Sequence, residues 1–262
     1  MGGTYAPRGV MTAKIIRSRK SIRKQRIVGL NDDVLSLNPV PQRRQSPMLY
    51  GVKQGVGGKK LTHRPVAVFD VDGTIFRSSL AIELLEELIK VGIFPKTARR
   101  GYGRELLRWR ERTGSYEQYI NKVVVVLWSH LKGINPSIVE MAASRVLHAK
   151  RRYTYRFTRD LAHELKRKGY YLLAISHSPR FILGPFAKRF GFDEAYGSLA
   201  ETNAKGNLTG KPKDFHRLKD KGGILKRAAG KFGFTLKGSV GVGDTESDIS
   251  FLKLVSEPIC FN

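Results

Sequence analysis

Val66-Ala67-Val68-Phe69-Asp70-Val71-Asp72-Gly73-Thr74 is the stretch on which the fold of this 262-residue chain turns. Its first half is a short run of β-branched and aromatic residues, the composition of a strand buried on both faces of a parallel sheet. The run ends in two carboxylates one residue apart. Alternation along an extended backbone sends Asp70 and Asp72 the same way, at the carboxyl end of the strand. In open α/β sheets that end is where ligands bind. Gly73 permits a sharp turn there, and Thr74 offers a hydroxyl and an N–H to a bound anion. Two like charges this close repel unless a cation or a shared proton compensates, which marks the pair as chemical.

Working outward, the residues after Thr74 read as helices for about seventy positions. Leu80, Ile82, Leu84, Leu85, Leu88 and Ile89 recur at helical spacing, and Gly92 stops the run. Leu106, Leu107 and Trp109, then Tyr116, Ile120, Val123, Leu127 and Leu131, then Ile138, Met141, Val146 and Leu147 continue the pattern. Their aromatic and aliphatic stripes are read as helix-bundle core. Such an insertion straight after the first strand, at about 78–155, forms a helical cap over the carboxyl edge of the sheet. Residues 159–168 read as a helix, Tyr170 to Ile175 as a second buried strand, and 224–232 as a further helix. Residues 239–242 and 258–261 are read as later strands, and 196–202 with 207–210 as a small hairpin projecting from the sheet. The alternation is that of a doubly wound, Rossmann-like parallel α/β sheet.

Other strand ends carry chemistry too. Ser176, in Ile175-Ser176-His177-Ser178-Pro179, precedes a helix whose N-terminal N–H groups suit an oxyanion. Asp244 and Asp248, in Gly243-Asp244-Thr245-Glu246-Ser247-Asp248, form a second acidic pair at a strand-to-loop junction. Carboxylates gathered at the mouth of a sheet suit Mg²⁺, which takes hard oxygen ligands.

These segments, in this order, resemble the motifs of the haloacid dehalogenase superfamily, and within it the phosphoserine-phosphatase-like branch. The resemblance covers residues 65–262. It implies an Mg²⁺-dependent phosphatase acting on a small phosphorylated substrate through an aspartyl-phosphate, with Asp70 as nucleophile and Asp72 as general acid and base. It further implies that Asp70, the backbone carbonyl of Asp72 and Asp244 hold the metal, with Asp248 orienting Lys221 or metal-bound water. Ser176, Lys221 and backbone N–H groups near Gly73 and Thr74 would hold the phosphoryl oxygens, with His177 also within reach of substrate. Lys221 fits the third motif best because it opens a helix ahead of Asp244, and Lys211 and Lys213 are the alternatives. Two departures stand out. Ser79 occupies the place of a glutamate that binds the substrate amine in phosphoserine phosphatases, and His177 and Ser178 stand where glycines usually follow the motif serine.

Composition bounds the rest. The formal net charge is +26 with a sequence pI near 10.4, which favours anionic partners. Residues 1–64 concentrate Arg and Lys and are broken by prolines and glycines, so they read as an unstructured basic extension. That extension gives a second reading, a nucleic-acid-binding protein or nucleic-acid-end phosphatase on the same scaffold; phosphoryl transfer is a third. Met11 and Met48 offer later starts, and the chain stops at its last strand without a closing segment. Cys260 is the only cysteine, so an intrachain disulfide is excluded and a reducing cytoplasm fits. The longest apolar run, near Val123, is too short to span a bilayer.

Overall fold

The computed structural model describes residues 63–213 and 218–261. The basic extension, and nucleic acid as its partner, fall almost wholly outside them. The central element is β1 (Pro65–Phe69), and its alternation divides the molecule. Ala67 and Phe69 enter one apolar cluster, whereas Val66 and Val68 enter another. Both faces of the strand are therefore covered, as its uninterrupted apolar sequence requires.

Six strands form the sheet in the order β4-β3-β2-β1-β5-β6. β2 (Tyr171–Pro179) and β5 (Thr235–Gly243) flank β1 in parallel, with Phe69 opposite Ala174 on one side and Val242 on the other. β6 (Glu257–Cys260) lies parallel outside β5. The expected hairpin is present, with Thr202 opposite Leu208 and Leu199 opposite Lys213, but it continues the sheet instead of projecting from it. β3 (Glu194–Thr202) is a full member of the sheet, parallel to β2, and β4 (Leu208–Lys213) adds an antiparallel edge to it. The start of β3, Glu194-Ala195, lacks the β-branched run that marks a buried strand.

Between β1 and β2 come α1 (Leu80–Lys90), α2 (Arg100–Arg110), α3 (Tyr116–His130), α4 (Pro136–Ala149) and α5 (Arg156–Arg167). Local chemistry sets their starts. Ser79 accepts from the Ala81 N–H ahead of α1, Ser115 and Gln118 form a reciprocal capping box on α3, and Asn135 caps α4 with Pro136 in its first turn. Buried residues of α1, α3 and α4 belong to the same apolar cluster as Ala67 and Phe69, so the cap and one sheet face share a core. The loop after α3 is stitched to the sheet edge: the Gly133 N–H donates to the Leu208 carbonyl at 2.8 Å, and the Leu208 N–H to the Ile134 carbonyl at 2.9 Å. Not every apolar stripe residue is core. Leu107, Trp109, Tyr116 and Met141 are exposed, because the helices bury only one face each.

After β2 the chain forms α6 (Arg180–Arg189), and after β4 it forms α7 (Lys221–Phe232), whose first turn is capped by the Asp220 side chain. A short helix α8 (Ile249–Leu252) links β5 to β6. α7 and α8 bury Ile224, Leu225, Ala228 and Phe251 against the second face of the sheet, completing the doubly wound arrangement. Among the described residues no helix is long and apolar enough to cross a membrane.

Candidate active site

Topology brings four segments to the carboxyl end of β1: the turn Asp70–Thr74, the end of β2, the start of α7 and the loop after β5. Asp70 is fixed first by its backbone, whose N–H donates to the Val242 carbonyl at 2.9 Å. Its carboxylate is nearly buried and accepts from the Lys221 ammonium at 2.7 Å. The same ammonium donates to Asp248 Oδ1 at 2.6 Å. Asp248 Oδ2 in turn accepts from the backbone N–H groups of Asp244 and Thr245, at 3.1 and 3.0 Å, and from the Thr245 hydroxyl at 3.0 Å. Asp248 is thus saturated with protein donors, and its work is to hold Lys221 and the β5 loop. Of the three lysines weighed from sequence, Lys221 is the one buried among the carboxylates, whereas Lys211 and Lys213 are exposed on β4.

Asp72 is held quite differently. One carboxylate oxygen accepts from the Leu80 N–H at 2.6 Å, at the start of α1. The other accepts from the Ser178 hydroxyl at 2.8 Å and from the Ser176 hydroxyl in a short hydrogen bond. The strand does not stop at Ile175 as read from sequence. β2 runs on to Pro179 through a register irregularity, so Ser176 and Ser178 both reach Asp72. Pro179 keeps Ser178 out of the helical region, which explains the extension. Ser178 is the site residue that sequence reasoning undervalued; its spacing of two from Ser176 was the available signal.

Thr74 and Gly73 also differ from expectation. The Thr74 hydroxyl donates to Asp244 Oδ1 at 2.7 Å, so it positions that carboxylate. The Gly73 N–H is taken by the carbonyls of Phe76 and Ser78, at 2.9 and 3.2 Å. Gly73 matters through shape: its φ is +86°, and a Cβ there would lie 2.2 Å from Asp244 Oδ2. His177 lies near Lys221, Leu218 and Asp248; burial, then the Lys221 charge, lowers its pKa to about 4, leaving the ring neutral at pH 7.

Ligand atoms of Asp70, Asp244 and Asp248 all lie within 4.8 Å of one another. Burial raises the Asp70 pKa, and Asp248, Asp244 and Asp72 add to the rise against the opposing pull of Lys221. Burial likewise raises Asp72, and takes Asp244 to about 6. Burial alone would lower Lys221, but the charges of Asp70 and Asp248 overturn that and keep it protonated. One ammonium thus faces an excess of buried carboxylates. That donor set of hard oxygens around surplus negative charge fits a divalent cation such as Mg²⁺, with Asp70 and Asp244 free to offer oxygens and Asp248 already committed.

Residues 67–253 match the family model for haloacid dehalogenase-like hydrolases. The chain belongs to the haloacid dehalogenase-like hydrolase family. Solved structures share its fold. A Bordetella pertussis Tohama I protein of unknown function aligns at a TM-score of 0.60 and 19% identity, over 75% of this chain and 89% of that one. A phosphoserine phosphatase in apo form aligns at 0.51 and 23% identity, over 74% and 84%. A substrate-bound phosphoserine phosphatase complex aligns at 0.50 and 23%, over 75% and 85%. No curated protein matches the chain. The haloacid dehalogenase-like hydrolase match spans β1 to α8 and so includes all four site segments.

Proposed function

We propose that the protein is a divalent-metal-dependent phosphatase that hydrolyses a small phosphate monoester through an aspartyl-phosphate. The observation that carries this is the buried Asp70–Lys221–Asp248 chain beside Asp244. A binding module has no use for clustered carboxylates that repel phosphate, and a nucleophile beside a fixed ammonium does.

The roles follow from the partners. An Asp70 oxygen attacks phosphorus as the ester P–O bond breaks, giving a phosphorylated Asp70. Asp72, whose pKa burial raises, delivers a proton to the departing alcohol oxygen. As a carboxylate it then takes a proton from the water that attacks the same phosphorus, releasing phosphate and restoring Asp70. Ser176 and Ser178 orient Asp72 for both transfers. Lys221 offers its positive charge to the oxygens of the transferring phosphoryl group. A divalent cation at Asp70 and Asp244 would offset the charge that otherwise keeps a phosphate dianion away and Asp70 protonated.

Phosphoserine itself is a poor candidate substrate. Ser79, at the place where the related phosphatases carry their amine-binding glutamate, is buried and spent on capping α1. The test is phosphate release from a panel of monoesters by chelator-stripped protein, with and without Mg²⁺, alongside Asp70→Asn. Turnover should require the metal and vanish in Asp70→Asn while the fold persists. Full activity without any divalent ion, or in deamidation-free Asp70→Asn, removes the assignment.

A further inference from the structure

Asp72 is held by three neutral donors, and their arrangement distinguishes its two oxygens. Oδ2 accepts from the Ser176 and Ser178 hydroxyls, which fills both of its lone pairs. Among the described residues Oδ1 accepts only from the Leu80 N–H, at 2.6 Å, and keeps one lone pair open. The serines are committed to this direction. Ser176 Oγ accepts from the Ser178 N–H at 2.9 Å, and Ser178 Oγ accepts from the Ala81 N–H at 3.2 Å. Each hydroxyl proton goes to Asp72, the one acceptor that either has among the described residues. Both serines are buried, so solvent does not compete for those protons. Ser178 is itself set in place by the neighbouring strand. The Ser198 hydroxyl donates to the His177 carbonyl at 2.7 Å, and Pro179 lies opposite Ser198 in the β2–β3 register. Gly197 approaches so closely that a Cβ there would stand 2.7 Å from the Ser178 carbonyl oxygen. β3 thus holds Ser178 from the core, while the first turn of α1 reaches it from the cap.

We propose that Ser178 is a positioning residue that, together with Ser176, closes Asp72 Oδ2 and leaves Oδ1 as the oxygen that carries the transferred proton. Oδ1–H gives its proton to the alcohol oxygen as the ester P–O bond breaks. The freed lone pair then takes a proton back from the attacking water. A glycine at position 178 would leave one lone pair of Oδ2 open, and a proton lodged there would be spent on a serine oxygen. This rests on the phosphatase reading above, with Asp72 as proton carrier, and adds which oxygen carries the proton and what enforces the choice.

Ser178→Ala removes one donor from Oδ2 and leaves α1 capped, because the Ser79 hydroxyl also accepts from the Ala81 N–H, at 3.2 Å. Steady-state turnover by the Mg²⁺-loaded protein is compared for p-nitrophenyl phosphate and the best alkyl phosphate of the monoester panel. For the alkyl ester kcat should fall about tenfold with KM unchanged, the worth of one hydrogen bond to a charged group. For the aryl ester, whose leaving group needs no proton, the loss should be about twofold. Ser178→Thr, which keeps the hydroxyl, should recover most of the alkyl turnover. Should Ser178→Ala fail to fold, Ser178→Cys gives the same comparison with a weak S–H donor. In the Asp72→Asn protein, adding Ser178→Ala should cost nothing further, because the two residues act as one unit. Undiminished alkyl turnover in Ser178→Ala, equal losses for the two esters, or a loss that adds in full to that of Asp72→Asn overturns the role of Ser178. Absence of phosphate release from every ester by the wild type overturns the phosphatase reading beneath it.

Discussion

Replacing Lys221 by methionine removes the one positive charge that the buried carboxylates share, and the cost can be worked out from the structure. The ammonium lies 2.7 Å from Asp70 and 2.6 Å from Asp248, with side chains 2%, 7% and 0% exposed. At an effective dielectric near 20, each contact carries on the order of 6 kcal/mol of attraction. Desolvation of the three groups offsets most of this, so the net worth of the intact pair is small. Breaking it is another matter, because two uncompensated carboxylates stay behind in a dry site, at a cost of about 3–5 kcal/mol. Methionine matches the lysine stem in volume, so packing adds little to that figure.

The deficit should depend on pH with a definite sign. Loss of Lys221 removes the only influence lowering the Asp70 pKa among its principal neighbours, so that pKa rises further in the folded state. A carboxyl whose folded pKa lies above its unfolded value contributes stability that is present below the unfolded pKa and is lost as pH rises through the folded one. The variant should therefore fall furthest behind the wild type at alkaline pH and recover toward pH 4.5, as Asp70 takes up a proton. Urea unfolding followed by circular dichroism in metal-free buffer, at pH 4.5 and pH 8, measures the difference. A Lys221→Met protein within about 1 kcal/mol of wild type at pH 8, or one with the same deficit at both pH values, would refute the reasoning.

Asp72→Asn should slow hydrolysis of alkyl phosphates by ~10²–10⁴ and that of aryl phosphates much less, because a good leaving group needs no proton; equal losses count against proton delivery. Gly73→Ala, at φ +86° and with its new Cβ 2.2 Å from Asp244 Oδ2, should stay folded yet lose about a hundredfold in turnover; wild-type activity would show that the turn has slack. Asp244 titrates near 6 in the folded state against an ordinary 3.8, so in chelator the wild type should lose thermal stability relative to Asp244→Asn as pH rises from 4 through 6. A gap between the two melting temperatures that does not move with pH would contradict the placement of Asp244 among like charges.

The sequence was most legible where one residue type has one physical use. An apolar run closing on Asp70 and Asp72 can scarcely be anything but a central strand with a site at its end, and the two later segments fell at neighbouring strand ends. Lys221 was legible only through its position at a helix start, since charge alone does not distinguish it from Lys211 or Lys213. The start of β3 and its pairing with β2 were missed because half of the strand is buried and half exposed, which blurs both strand patterns. The β2 extension was hidden because Ser-His-Ser-Pro is equally good turn chemistry, and only the reach to Asp72 shows why it stays extended. Tyr116, exposed at the start of α3, could not be separated from core aromatics by periodicity, which records a helical face and not its burial.

Asp70 and Asp72 sit two residues apart, yet the protein gives them opposite surroundings, and the strand order explains how. β1 lies between β2 and β5, so its carboxyl end receives side chains from both neighbours. From the β5 side come Asp244 and Asp248, with Lys221 brought in by α7; they set a cation and further carboxylates around Asp70. From the β2 side come Ser176 and Ser178, neutral donors that fix Asp72 without supplying a compensating charge. A nucleophile needs its negative charge managed, whereas a proton carrier needs orientation and a pKa free to sit above the usual carboxylate range. An edge strand could provide one of these environments but not both. The proposed division of labour between Asp70 and Asp72 thus depends on β1 being central, which its unbroken apolar sequence already demands.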